Sequence, residues 1–311
     1  MAGADVSHHP ERSLPTLPDF RAAAARIAPY VRRTPLLRAV VDGRPVTLKL
    51  EHLQVTGVFK IRGALNALLA SRPPAVITAS GGNHGLGVAT AARWLGIPAT
   101  VFVPATAPEV KARRIAAAGA DVVRTGRTYA DAERAARELA GRDGLYYVHA
   151  YDDPAVVAGQ GSAGREIVQD LPACDVVAVP VGGGGLLAGV SSAIAPRRAV
   201  AVEPEGCPTL HAAVEAGAPV EVGSESVAAS ALGASRVGDL ALAAYQTNPV
   251  SLALVSDEEI LAARDRLWEE FRLAVEPAAA TVFAAWLSGL VPGDNPCLLL
   301  SGANADWIPS R

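Results

Sequence analysis

The segment "GVFKIRGA" (57–64) sets Lys60 directly behind a phenylalanine in surroundings that read as partly buried. Two readings are open. The stem packs while the ammonium reaches water, or the amine is desolvated and serves as a base or Schiff-base former. A second element is "VAVPVGGGGLLAGV", where a buried strand ends at Val181 and a helix opens near Leu186. Gly182, Gly183, Gly184 and Gly185 carry no Cβ, so several backbone N–H groups can converge on an anion at a helix N-terminus, as in a phosphate cradle. The same run competes as a dinucleotide fingerprint. Gly183, Gly185 and Ala188 fit G-x-G-x-x-A, and Glu203 follows at about the 20-residue spacing of a ribose-binding acid. "GQGSAG" (159–164) spells the same pattern but follows a helical segment, "DPAVVA", so it carries little weight. The third element is "ITASGGNHGLGVA", in which Ser80, Gly81, Gly82 and Asn83 form either a second anion nest or an ordinary turn capped by Asn83. Finally, "LLLSGANAD" places Ser301 at the end of a late strand.

Elements able to position these residues are visible in the pattern. "VTLKLE" (46–51), "AVITAS" (75–80), "ATVFV" (99–103), "DVVRT" (121–125), "DVVAVPV" (175–181), "AVAVE" (199–203) and "CLLLS" (297–301) read as strands. Between them "HGLGVATAARWLG", "APEVKARRIAAAGA", "YADAERAARELAGR" and "LLAGVSSAIA" read as helices. Such alternation predicts parallel sheets with helices on both faces. In "SDEEILAARDRLWEEF", Ser256 and Glu259 form a capping box. Ile260, Leu267, Trp268 and Phe271 share one face of that helix, with Trp268 and Phe271 expected in the core.

Composition narrows the function. With 311 residues, half of them apolar, the chain can build two lobes. A net charge of −3 with no basic patch argues against nucleic acid and against an anionic membrane surface. Cys174, Cys207 and Cys297 are widely spaced and odd in number, which fits a reducing cytoplasm better than a disulfide framework. No apolar run approaches the roughly 18 residues of a membrane span. "MAGADVSHHPERSLPTLP" lacks the apolar region of a signal peptide and reads as a loose arm, its His8–His9 pair solvated.

An amine, a phosphate cradle, an anion nest and a strand-end serine are the parts that pyridoxal 5′-phosphate (PLP) needs. The chain resembles the fold-type II PLP enzymes, and within them the serine/threonine dehydratase and serine racemase group. The resemblance runs from Thr34 to Asp306 through "RTPL" (33–36), "LKLEHLQVTGVFKIRGA" (48–64), "SGGNHGLGVA" (80–89), "AGQGSAGREI" (158–167), "VPVGGGGLLAG" (179–189), "VEPEG" (202–206) and "LSGANAD" (300–306). It implies an α/β, tryptophan synthase β-like fold of two lobes with mostly parallel sheets covered by helices. The expected division is an arm at 1–17, a large PLP-binding domain at 18–74 plus 150–311, and a small domain at 75–149. It further implies that Lys60 is the Schiff-base residue and the base for the Cα proton, and that Phe59 packs on the cofactor ring. Asn83 would meet the ring hydroxyl, Gly182 to Gly185 and Leu186 would bind the phosphate, and Ser301 would face the ring nitrogen. Ser80, Gly81, Asn83 and His84 would take the substrate carboxylate.

The activity so implied is a serine/threonine ammonia-lyase, acting on a small amino acid as a cytoplasmic homodimer. Alternatives are β-replacement of the cysteine-synthase type, racemisation, a dinucleotide-dependent oxidoreductase and a PLP-binding protein without turnover. His84 leans towards dehydratases, and Gly81 stands where racemases of the group carry a proton-donating serine. Val58 replaces a usual serine or threonine before the Phe-Lys pair. Glu203 matches one metal-binding position of related racemases but Thr209 occupies the second, so no metal is expected and a strand-end salt bridge is preferred for Glu203. "SVAASALG" (226–233), "EPAAAT" (276–281) and Ala303 also depart from the family pattern, which implies a divergent substrate shape.

Overall fold

The computed structural model describes residues 13–304. The His8–His9 pair, most of the proposed arm and Asp306 lie outside the described residues. Among the described residues ten strands form two sheets. The larger holds β1 (Leu36–Val41), β2 (Arg44–Lys49), β7 (Val176–Pro180), β8 (Arg198–Pro204), β9 (Val250–Val255) and β10 (Pro296–Leu299) in the order β1-β2-β10-β7-β8-β9. Only the β1–β2 hairpin is antiparallel. Its two-residue turn, Asp42–Gly43, has positive φ at both positions, as a hairpin that matches strand twist requires. The smaller sheet takes the intervening strands β3 (Val76–Ala79), β4 (Ala99–Val103), β5 (Asp121–Arg124) and β6 (Tyr146–Tyr147) in the order β5-β4-β3-β6, all parallel.

The central strands are apolar throughout because helices cover both faces. Along β7, Val176 and Ala178 face one core with Val200, Phe283 and Trp286. Val177 and Val179 face the other with Leu187, Val190 and Ile167. The "GQGSAG" segment lies inside the helix Pro154–Asp170. A Cβ on Gly159 would fall 2.5 Å from the Arg62 carbonyl oxygen, so that glycine permits a close helix crossing and binds no nucleotide phosphate.

The capping box of the helix Asp257–Phe271 is present, with Ser256 and Glu259 bonded reciprocally. Its aromatic residues are less buried than expected. Trp268 is only partly covered, by the Arg272 guanidinium 5.5 Å from its ring centroid, and Phe271 meets Phe283 edge-on at the rim of the core. Strands β1, β6 and β9 were not anticipated. Among the described residues no helix is long and apolar enough to cross a membrane.

Candidate active site

Loops after β2, β10, β7 and β3 converge on one cleft, at the carboxyl ends of parallel strands where such sheets present their ligand sites. The loop after β2 is laced to the chain after β10. His52 N–H donates to Leu300 O (2.9 Å), Phe59 N–H to Ser301 O (3.2 Å) and Ala303 N–H to Gly57 O (2.9 Å). Thr56 is held at φ +70, and its carbonyl accepts from Asn304 Nδ2 at 2.9 Å. A β-branched residue in that region costs about 1–3 kcal/mol, which the surrounding bonds must offset. The lacing delivers Lys60 as the first residue of the helix Lys60–Ser71.

Lys60 lines the cleft. Its Nζ donates to Ala150 O at 2.9 Å and lies 5.2 Å from the centroid of the Phe59 ring. Desolvation pushes the amine down to about 8, against a smaller upward pull from the Glu276 carboxylate. The residue is partly exposed as a whole because the cleft is open, yet its amine is enclosed. This is the desolvated amine of the two sequence readings, not the solvated ammonium.

The tetraglycine turn forms one wall of a narrow slot that also contains Phe59, Lys60, Asn83 and Ser301. Ser301 is buried at the end of the β10 segment. A Cβ on Gly183 would sit 2.2 Å from the Tyr151 ring, one on Gly182 2.7 Å from Leu232, and one on Gly185 2.5 Å from Tyr151 O. Gly184 takes φ +83 as the N-cap of the helix Gly185–Ile194. Packing behind the loop therefore demands glycine, while its other side stays open to the slot. Backbone N–H groups in the first turn of a helix have no intrahelical acceptor. Among the described residues no loop or cap backbone bond takes the N–H of Gly182, Gly183, Gly184, Gly185 or Leu186.

Across the slot, Asn83 is the first residue of the helix Asn83–Leu95, and Gly82 occupies the cap position. The Asn83 side chain is thus free of capping. Its amide donates to both Glu276 oxygens (3.1 and 3.2 Å) and its Oδ1 accepts from Asn304 Nδ2 at 3.0 Å. Ser80 Oγ accepts from Gly82 N–H at 3.2 Å, and Gly81 lines the open cleft. His84 is buried beside them. Its Nε2 faces Val148 O at 3.2 Å and so carries the proton, while Nδ1 has no partner. Burial, then the charge of Lys60, pushes this imidazole down to about 3, so it stays neutral.

Glu203 lies elsewhere in role. It is fully buried and accepts from Leu210 N–H (2.7 Å), His211 N–H (3.0 Å), Thr209 Oγ1 (3.0 Å) and His211 Nδ1 (2.7 Å). The carboxylate anchors the start of the helix Thr209–Ala216 through those donors. The second acceptor of the Thr209 hydroxyl is Gly182 O at 2.6 Å, which ties this anchor to the cradle.

An open-sided glycine cradle, an enclosed amine and an unpaired imidazole nitrogen fit a phosphorylated carbonyl cofactor, and PLP is one. The pyridoxal-phosphate dependent enzyme family matches this sequence over residues 27–302. The chain belongs to that family. It is 37% identical over 304 residues to the L-threonine ammonia-lyase of Thermotoga maritima, an alignment covering 94% of this chain and 76% of that one. It is 39% identical over 311 residues to the phenylserine dehydratase of Ralstonia pickettii, covering 94% of each. The crystal structure of the T.th. threonine deaminase superposes with a TM-score of 0.88 at 38% identity, covering 95% of this chain and 100% of that one. The fold is accordingly that of the fold-type II PLP enzymes.

Family membership makes the residues that sequence reasoning passed over more interesting. Glu276 is 2% exposed and sits in the slot against Asn83, its carboxyl raised by burial. Glutamate immediately before Pro277 at a helix start was the available signal. Tyr151 covers two of the cradle glycines, and Lys111 lines the cleft beside Asn83. Of the departures from the family pattern, Ser230 borders the cleft, whereas Ala279 packs in the core.

Proposed function

We propose that this protein is a PLP-dependent ammonia-lyase that converts a β-hydroxy amino acid to a 2-oxo acid and ammonia. The observation that carries this reading is the enclosed Lys60 amine between the glycine cradle and the Ser80–His84 loop. The named activities of the relatives, on threonine and on phenylserine, support the reaction class and leave the group on Cβ open.

The cofactor, when bound, supplies the electron sink that makes the Cα proton acidic. The chain does the rest. Gly182 to Leu186 would hold its phosphate by backbone N–H groups, Phe59 would pack on the ring, Asn83 would meet the ring hydroxyl and Ser301 the ring nitrogen. Ser80, Gly81, Asn83 and His84 receive the substrate carboxylate. Lys60 would anchor the cofactor and, as a free amine, would take the proton from Cα. An amine lowered to about 8 is well matched to a general base near neutral pH. Net, the β-hydroxyl leaves as water, one water returns, and the amino group departs as ammonia. Gly81 has no proton to give, which favours elimination over racemisation.

The division into a larger domain (18–74 plus 150–311) and a smaller one (75–149) after an arm (1–17) is supported by the grouping of strands into two sheets. A cytoplasmic homodimer completes the proposal. Incubating the PLP-loaded enzyme with L-serine, L-threonine and β-aryl serines should release ammonia and 2-oxo acid in equal amounts. Silence with all of them would overturn the lyase reading, and borohydride labelling that misses Lys60 would overturn its role.

A further inference from the structure

We infer that the group on the substrate's Cβ is an aryl ring or a comparably bulky apolar group, received against Tyr129 and Tyr151. This rests on the ammonia-lyase reading above. The cleft that opens from the slot shares Lys60, Asn83, Tyr151 and Gly183 with it and has a volume of about 310 Å³, part of which the cofactor itself would fill.

Its walls are suited to something larger than the side chain of serine or threonine. On the side of the smaller sheet, Pro104, Ala107 and Pro108 follow β4 and present apolar surface, and Tyr129 opens the helix Tyr129–Asp143. Tyr129 lines the cleft and is 36% exposed as a residue, while burial of its hydroxyl end pushes that group well above its ordinary range. Tyr151, which also lines the cleft, is held still. Its ring lies against Gly183, the edge of His149 meets it at 4.5 Å between centroids, and its hydroxyl donates to Arg236 O at 3.3 Å. Two rings, one fixed and one half-covered, offer an incoming ring the offset or edge-to-face contacts that aromatic groups prefer.

Charge is consistent with this. Among the described residues no carboxylate lines the cleft, and its one cation besides Lys60 is Lys111. The charge of Lys111 already acts on the buried Glu276 carboxylate. An acidic side chain would have to compete with Glu276 for Lys111 while lying against proline and tyrosine.

The test begins with unreactive ligands. Calorimetry of the holoenzyme with L-phenylalanine, L-alanine and L-aspartate, none of which carries a β-hydroxyl, should show L-phenylalanine binding about tenfold or more tighter than L-alanine, since even one buried methylene is worth that much. Steady-state kinetics should then give L-threo-phenylserine about a tenfold or larger advantage in kcat/KM over L-threonine. Tyr129→Ser, and independently Ala107→Leu, which fills the cleft on the side of the smaller sheet, should each reduce that ratio. L-phenylalanine binding no tighter than L-alanine would overturn the inference, as would L-aspartate binding tightest. Tight L-phenylalanine binding with no 2-oxo acid from any β-hydroxy amino acid would support the aryl cleft and overturn the lyase reading instead.

Discussion

Lys49 and Lys60 flank the same loop, and the two surroundings could hardly differ more. Lys49 is fully buried and its ammonium donates to Thr34 O at 2.8 Å and to Glu166. Nearby Arg62, also fully buried, reaches both Glu51 oxygens at 2.8 Å and Glu166 at 2.7 Å, and the Thr34 hydroxyl closes the remaining side of Glu51. Burial opposes the charge on Glu51, yet Arg62 holds its carboxyl below the usual range. Two cations and two anions thus cancel, with their hydrogen-bonding capacity spent on one another. Lys60 has a single carbonyl acceptor, and the nearest acid, Glu276, spends its oxygens on Asn83. Saturation makes a cluster structural, and a deficit leaves an amine able to react.

The largest effect that could break this contrast is on turnover. Lys60→Ala should lower kcat by at least the roughly 10²–10⁴-fold expected for a lost proton-transfer group, while the urea midpoint stays close to the parent's. A variant that keeps turnover would end the role assigned to Lys60. The opposite pattern is expected at the saturated cluster. Arg62→Leu strands Glu51 and Glu166 with Lys49 alone, and breaking a buried pair costs about 3–5 kcal/mol. Urea unfolding of Arg62→Leu within about 1 kcal/mol of the parent would show that the cluster is not the structural element its geometry indicates.

A titration separates the two lysines further. In the cofactor-free protein, Lys60 titrates near 8 instead of its ordinary 10.5. Between those values the unfolded chain binds more protons than the folded one, so stability rises with pH across that window. Below about 8 the folded state carries the full penalty of a charged, desolvated amine, on the order of 3 kcal/mol at most. Lys60→Met should therefore be more stable than the parent at pH 7, with the difference shrinking towards pH 10.5. Unfolding curves of the two proteins that stay parallel over that range would remove the desolvated amine from the account.

Much of this was legible because each motif sits at the end of an apolar strand. The valine- and alanine-rich runs of β7 and β8 announce buried parallel strands, and the tetraglycine turn follows one of them directly. Strands β1 and β9 are half-exposed edges of the larger sheet, each interrupted by a polar residue, Arg38 and Ser251, and β6 has two residues. The face of Trp268 was misjudged because helical periodicity selects a side of the helix but not how deep that side lies. Motifs single out Lys60, Asn83 and Ser301, which the structure brings to one slot, whereas Glu276 and Tyr151 reach that slot by tertiary contact. Nothing in "VEPAAA" says that the glutamate will lie against an asparagine from the other sheet's loop. The saturated cluster was equally invisible, since Lys49, Glu51, Arg62 and Glu166 look like ordinary surface charges until the helix Pro154–Asp170 closes over them.

Glu276 supplies the finest test of the contrast, because it is the one acid that moderates Lys60. After desolvation, its carboxylate is the influence that pulls the amine back up. Glu276→Gln keeps the shape and removes the charge, so Lys60 should titrate below 8. The lower edge of the stability window in the cofactor-free protein should move to lower pH by the same amount, and the upper edge, set by the unfolded chain, should not move. The variant also turns an amide towards the Asn83 amide, so one of the two must rotate and the Asn304 Nδ2 to Asn83 Oδ1 bond is put at risk. Weaker PLP binding with an unshifted window would mean that Glu276 acts through Asn83 alone. A shifted window with unchanged PLP affinity would mean that it acts through charge, and the deficit around Lys60 would then be set by a single buried carboxylate.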